Sequence, residues 1–161
     1  MNGWPMAGGD LGRLMRERDW SATPLGAEGR WDPNLRAAVE LMLPSRAQIV
    51  LFWGEDYRAF YNDAYAPTIG DKHPHALGQP ARHHWGELWE EREPLLRGVR
   101  ETGETFAASD YPFHIDRAGF MEEVFFDISY SALRRADGAV GGVLCLVKET
   151  TQDVRDRKSV V

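Results

Sequence analysis

The chain has 161 residues, a length that suits one domain or one domain with a short extension. Its 43% hydrophobic and 27% charged residues exclude global disorder. With 19 basic and 25 acidic residues and a formal charge of −6, it is poorly matched to nucleic acid or an anionic membrane.

A single cysteine, Cys145, excludes a disulfide framework and any cysteine-based zinc site, and fits a reducing compartment. No apolar run approaches the roughly 20 residues of a membrane span. The start MNGWPMAGGD lacks the basic residues and apolar stretch of a signal peptide. The expectation is a cytoplasmic protein with no membrane and no nucleic-acid partner.

Residues 1–9 are rich in glycine and small side chains and read as disordered. Asp10 is placed to cap a short helix over 10–15, with Leu11, Leu14 and Met15 on one face. Residues 19–29 read as an irregular connection. A second helix over 33–43 is better marked. Asp32 stands at its N-cap, Pro33 at its first turn, and Leu35, Ala38, Val39 and Met42 form a stripe.

Residues 49–53 are a continuous apolar run, too short for a helix, which predicts a strand buried on both faces. Gly54-Glu55-Asp56 turns the chain, and 57–61 returns as the hairpin partner. From 62 to 84, Pro67, Gly70, Pro74, Gly78 and Pro80 permit only short helices and loops. Trp85, Leu88, Trp89, Arg92, Leu96 and Val99 share one helical face. Pro94 either kinks that helix or opens a second one, and Gly103 suits its C-terminal cap.

Three strands follow, over 104–115, 120–133 and 140–149, with turns at 116–119 and Asp137-Gly138. The middle one alternates: Val124, Phe126, Ile128 and Tyr130 one way, Glu123, Asp127 and Ser129 the other. The charged tail 151–161 reads as the start of a helix cut short. This order predicts an α+β domain with one antiparallel sheet.

The order is that of a PAS domain, and several segments resemble those PAS domains found at the N-terminus of bacterial sensor histidine kinases. They are Asp19-Trp20-Ser21-Ala22-Thr23-Pro24-Leu25-Gly26, Asn34-Leu35-Arg36-Ala37-Ala38-Val39 and Tyr61-Asn62-Asp63-Ala64-Tyr65. Gly70-Asp71-Lys72-His73-Pro74 with Ala76-Leu77-Gly78, and Gly119-Phe120-Met121-Glu122-Glu123 with residues 126–131, are similar too. Gly141-Gly142-Val143 and Glu149-Thr150-Thr151 resemble the last strand and its exit.

The resemblance spans 19–153. It implies a five-stranded antiparallel sheet with helices on one face enclosing a pocket, preceded by an N-terminal extension (1–18). Residues 19–150 would be the PAS domain with its cap helix, and 151–161 the start of a signalling helix. Such modules sense a ligand, light or redox state, or hold sensor chains together as dimers, and act on a C-terminal output domain. Neither a phosphoacceptor-histidine segment nor a kinase ATP-binding domain is present in these residues.

A covalent flavin adduct, as in light-sensing relatives, needs a cysteine near residues 78–85. That segment has none, and Cys145 lies in the last strand among apolar residues. For haem, His83 and His84 stand in about the right region, but adjacent residues point to different sides of a helix. His83 with Glu87, or His73 with His75, are two-ligand sets where a stable metal site needs three or four. No metal site is expected, and the cofactor is left open.

Enzyme signatures are absent: there is no phosphate loop, no G-x-S-x-G elbow and no HExxH. Glu90-Glu91 and Glu122-Glu123 are adjacent and point apart. The aromatic residues are more informative. Phe52, Trp53, Tyr61, Tyr65, Trp85, Trp89, Phe126 and Tyr130, with Asn62 as a polar handle, fall where a pocket would be lined. Alternatively they fill a closed core.

The apolar stripes of the two N-terminal helices must also bury. They do so either on the outer face of their own sheet or against a second protomer. The resemblance implies a parallel homodimer using these helices and the C-terminal one. The reading is a sensory module that binds an unidentified small molecule; the alternative is a dimerisation module with no ligand.

Overall fold

Strands β1 (Gln48–Trp53), β2 (Arg58–Tyr61), β3 (Phe106–Asp116), β4 (Met121–Arg134) and β5 (Val140–Glu149) form one antiparallel sheet in the order β2-β1-β5-β4-β3. Among the described residues, five α-helices accompany it: α1 (Gly9–Glu17), α2 (Pro33–Met42), α3 (Ala66–Ile69), α4 (Gly86–Thr102) and α5 (Thr151–Ser159). The computed structural model describes residues 3–116 and 119–159, without the Glu87 side chain. The turn expected at 116–119 includes Arg117 and Ala118, which lie outside the described residues.

β1 is buried on both faces, as its unbroken apolar run requires. Phe52 points to the inner face, where its ring meets Trp85 at the start of α4 (5.4 Å). Leu51 points to the outer face beside its partner Phe60, which touches Trp20 and Trp31 (5.8 and 5.3 Å). β4 alternates as expected, with Val124, Phe126, Ile128 and Tyr130 all buried. α4 runs through Pro94 as one helix rather than two, and Gly103 caps it in the left-handed region (φ 75°).

Two N-terminal expectations are corrected. Residues 3–8 are not a loose tail: Trp4 is buried edge-on against Trp31 (5.4 Å), with the Arg36 guanidinium over its ring. Asp10 does not cap α1. Gly8 occupies the cap position and supplies no side chain. Instead Asp63, just after β2, accepts from the backbone N–H of Asp10 (3.0 Å) and Leu11 (2.8 Å), which satisfies two of the helix's orphan donors. Asp10 lies in the first turn and bonds Arg13 and His73, which hold its carboxyl below the usual range.

The stripes of α1 and α2 bury on the outer face of their own sheet: Leu11, Met15, Leu35, Val39 and Met42 all join the core. Gly78 makes that layer possible. It has φ 76°, and a Cβ there would lie 2.6 Å from the Trp20 ring. An apolar groove of about 560 Å3 remains open between α2 and β4–β5, lined by Leu41, Ile49, Leu133 and Leu144 among others. Leu41 is 78% exposed at its edge.

Candidate functional site

The inner face of the sheet is covered by α3, α4 and the short turns between them. A pocket opens there between Tyr65, Thr68, Ile69 and Lys72 of the α3 segment and the turn after it, Trp85, Leu88 and Arg92 around α4, and Phe113, Ile115, Phe126, Tyr130 and Val147 of the sheet. Its walls are apolar because β3, β4 and β5 alternate, sending every second side chain inward. The interior is narrow. The space open to the centre of a water-sized sphere is about 20 Å3, just above the ~10–15 Å3 that one water needs. It shares Lys72, Trp85, Leu88 and Ile115 with a wider mouth of about 260 Å3 that also involves His114, Asp116 and Met121.

Arg92 is the chemically distinctive residue. It lies on the apolar stripe of α4 and is only 4% exposed. Its guanidinium sits over the rings of Phe52 (4.9 Å) and Tyr130 (5.4 Å), and Nη1 donates to the Tyr65 hydroxyl (3.1 Å). No ion pair to a carboxylate is found for it among the described residues. Burying an unpaired ion costs several kcal/mol, and each desolvated cation–π contact returns only about 2 kcal/mol.

Burial works against the Arg92 charge and the hydrogen bond to the Tyr65 hydroxyl favours it; a guanidinium keeps its proton in such a setting. None of its neighbours Tyr130, Tyr65 and Cys145 brings a negative charge at neutral pH. Burial pushes the Tyr130 phenol far up, against the pull of Arg92. Burial also pushes the Cys145 thiol up to about 11.

Polar atoms in this pocket lack partners. Arg92 Nε and Nη2, the Tyr130 hydroxyl and Trp85 Nε1 are all buried without a hydrogen bond. They are four of the six such side-chain atoms among the described residues; Arg36 Nε and Thr150 Oγ1 are the others. Orphaned buried donors are rare in folded proteins and call for a specific cause.

Of the residues expected at the site, Tyr65, Trp85, Phe126 and Tyr130 line the pocket. Phe52 lies beneath the Arg92 guanidinium, behind the pocket wall rather than on it. Trp89 packs edge-on against Tyr57 (5.1 Å) beside a separate surface hollow. Trp53 lies with its ring against Gly141 and Gly142.

Tyr61 and Asn62 stand apart from the pocket. Tyr61 bonds His73 Nδ1 (2.8 Å), and burial raises its phenol pKa. Asn62 is a structural clasp. Its Nδ2 donates to the carbonyls of Met42, Ser45 and Ala47, and its Oδ1 accepts from the N–H of Ile49 and Tyr65. With its side chain saturated by backbone, it has nothing left to offer a ligand.

His83 is exposed and His84 half-buried, and burial with His83, His75 and Lys72 nearby lowers the pKa of His84. No three potential metal ligands converge among the described residues. Arg92 and Lys72 are the residues the site reading lacked. A charged residue on the α4 stripe, where every neighbour is apolar, was the available signal for Arg92.

At its far end the pocket wall meets the exit helix. Phe126 faces the pocket, while its neighbour Phe125 accepts from the N–H of Thr150 (2.7 Å) and donates to Thr151 Oγ1 (3.0 Å). Val154 of α5 is buried, Lys158 lies over the Phe125 ring (5.3 Å), and Arg157 pairs with Asp110 at a bulge in β3 (2.6 Å).

No protein-family model matches the chain. Solved structures do. A PAS domain from Colwellia psychrerythraea superposes with a TM-score of 0.52 at 12% identity, covering 73% of this chain and 98% of that one. The LOV protein of Rhodobacter sphaeroides gives 0.55 at 13%, covering 75% and 72%. VqmA bound to DPO gives 0.52 at 14%, covering 71% and 57%. The chain spans little more than half of VqmA, 57% in that structure and 52% in a Vibrio cholerae VqmA dimer. The chain has the PAS fold.

A flavin, as LOV domains imply, does not fit the space beneath α4. The interior is far smaller than the ~300–1,000 Å3 of pockets for drug-sized ligands, and the sole cysteine is sealed in β5 with a raised thiol pKa.

Proposed function

We propose that this domain is the sensory module of a bacterial multidomain signalling protein, a histidine kinase, in which occupancy of the inner pocket alters the seating of α5. The fold is that of sensory PAS and LOV domains, and VqmA, a structural neighbour, is bound to DPO. One observation carries the reading. Adjacent residues of β4 serve both ends of the route: Phe126 forms the pocket wall and Phe125 holds the first turn of α5 by two backbone-directed bonds. A ligand needs only a different affinity for two settings of that strand to bias the helix.

In this reading the module is cytoplasmic and homodimeric. The groove beside α2, with Leu41 at its edge, is the face a second protomer covers, and α5 continues towards an output domain. The domain transmits rather than catalyses.

The test is amide hydrogen exchange on Phe126→Leu, which thins the pocket wall without touching α5. The N–H of Val154, bonded to the Thr150 carbonyl (3.0 Å), is expected to exchange at least tenfold faster while α2 is unchanged. Equal acceleration in α2 and α5 means simple loss of stability, and that result, or an unchanged α5, overturns the proposal.

A further inference from the structure

The orphaned atoms of the pocket specify a class of ligand. Arg92 Nε and Nη2 form one edge of the planar guanidinium, which presents two parallel N–H bonds. That edge matches the two oxygens of a carboxylate. Here both atoms are buried and unpartnered, while the other edge is held by Tyr65. The Trp85 indole N–H and the Tyr130 hydroxyl line the same pocket without a hydrogen bond of good geometry, Tyr130 lying close enough to Arg92 to feel its charge. Four donors without an acceptor, two of them on a guanidinium that no carboxylate among the described residues pairs with, are complementary to an anion rather than to a neutral molecule.

The remaining chemistry narrows the class. Lys72 stands where interior and mouth meet, and Asp116 lines the mouth. Among the described side chains that line interior and mouth, Arg92 and Lys72 stand against Asp116, which leaves a single positive charge to be matched and suits a monoanion. Phe113, Ile115, Phe126 and Val147 offer only apolar surface, so the rest of the molecule is hydrocarbon. The interior of about 20 Å3 limits it to a short chain directed towards the mouth.

Resting on the sensory reading above, we propose that the pocket binds a short-chain monocarboxylate, its two oxygens on Arg92 Nε and Nη2 with Tyr130 and Trp85 as further donors. The ligand supplies the negative charge that the protein interior lacks. No covalent step is involved.

The experiment uses the purified chain with acetate, propionate and butyrate as probes, butyramide as the neutral isostere of butyrate, and inorganic phosphate at matched ionic strength. Calorimetry and melting temperature are the readouts. Butyrate is expected to bind at least tenfold more tightly than butyramide or phosphate. Arg92→Met should abolish that preference, Arg92→Lys, which keeps the charge without the fork, should retain only part, and Tyr130→Phe should weaken butyrate severalfold. If Arg92→Met does not fold, the wild-type contrast with butyramide and the Tyr130→Phe titration still decide.

Equal binding of butyrate and butyramide, preference for phosphate, butyrate binding that survives Arg92→Met, or no binding of any carboxylate overturns the proposal. The α5 exchange response to Phe126→Leu separates the two ideas. Carboxylates failing while that response persists removes the anion alone, whereas loss of the response removes the sensory reading beneath it.

Discussion

The two faces of the sheet bury the same kinds of side chain to opposite effect. On the outer face, Trp20 is 1% exposed and its indole N–H donates to the Met15 carbonyl (3.0 Å), while Trp31 donates to Gly26 (2.9 Å). Trp31 meets Trp20 and Phe60 edge-on at 5.0 and 5.3 Å, and Trp20 lies tilted against Phe60 at 5.8 Å. On the inner face Trp85 is equally buried, at 1%, yet its N–H has no acceptor, and neither do the neighbouring Tyr130 hydroxyl and the free edge of Arg92. Outside the pocket, Arg36 Nε belongs to a side chain that still reaches solvent, and Thr150 Oγ1 is a lone hydroxyl at the exit of β5. Burial alone therefore does not separate a core from a site; whether buried polar ends are satisfied does.

Three measurements can break or sharpen that contrast. The largest effect is expected on the closed face. Trp20→Ala removes a ring packed between Trp31, Phe60 and Gly78 and should cost about 3–5 kcal/mol in urea unfolding. Trp85→Phe, which deletes an N–H that bonds nothing, should cost less than about 1.5 kcal/mol. Similar losses for the two would mean that both faces are ordinary core.

The second is a pH effect confined to the inner face. The Cys145 thiol, whose ordinary pKa is 9.0, is pushed up to about 11 by burial, so the unfolded chain releases that proton first. Stability is intact below pH 9 and falls as pH rises towards 11, by up to about 2–3 kcal/mol. Tyr130, also raised by burial, adds to the loss above pH 10. Urea midpoints between pH 8 and 10 should decline in the wild type and flatten in Cys145→Ala. A parallel decline in both chains would exonerate the thiol.

The smallest effect has the opposite sign. Arg92→Met replaces a buried unpaired cation by a hydrocarbon of similar length and should stabilise the ligand-free protein by about 1 kcal/mol. A melting temperature lowered by several degrees would show that Arg92 is needed for packing and not held in reserve for a ligand.

What was legible in the sequence follows the distance over which each feature is determined. The two-faced burial of β1, the alternation of β4 and the glycine cap of α4 depend on residues a few positions apart, and all three appear where the pattern places them. The cap of α1 depends on Asp63, more than fifty positions away, and local spacing instead favours Asp10. Trp4 looks like part of a loose tail until Trp31 is beside it. Asn62 has the chemistry of a ligand handle, but its five backbone partners come from segments that only the fold assembles. Arg92 lies on the stripe where its period puts it. Its significance comes from what the sheet fails to place opposite it, and no window of sequence displays that.

The position of β5 has a consequence for how the molecule comes into being. The last strand is central, paired with β1 on one side and β4 on the other. Until it is added, β2-β1 and β4-β3 are separate hairpins with unpaired edges, and isolated two-stranded hairpins are marginal in water. Joining β1 to β5 closes a loop of about ninety residues, the kind of non-local contact that slows folding. During synthesis the sheet cannot be completed until residue 149 has left the ribosome, when the start of α5 is the next segment to emerge. The strand that completes the domain is thus also the one that delivers its exit helix.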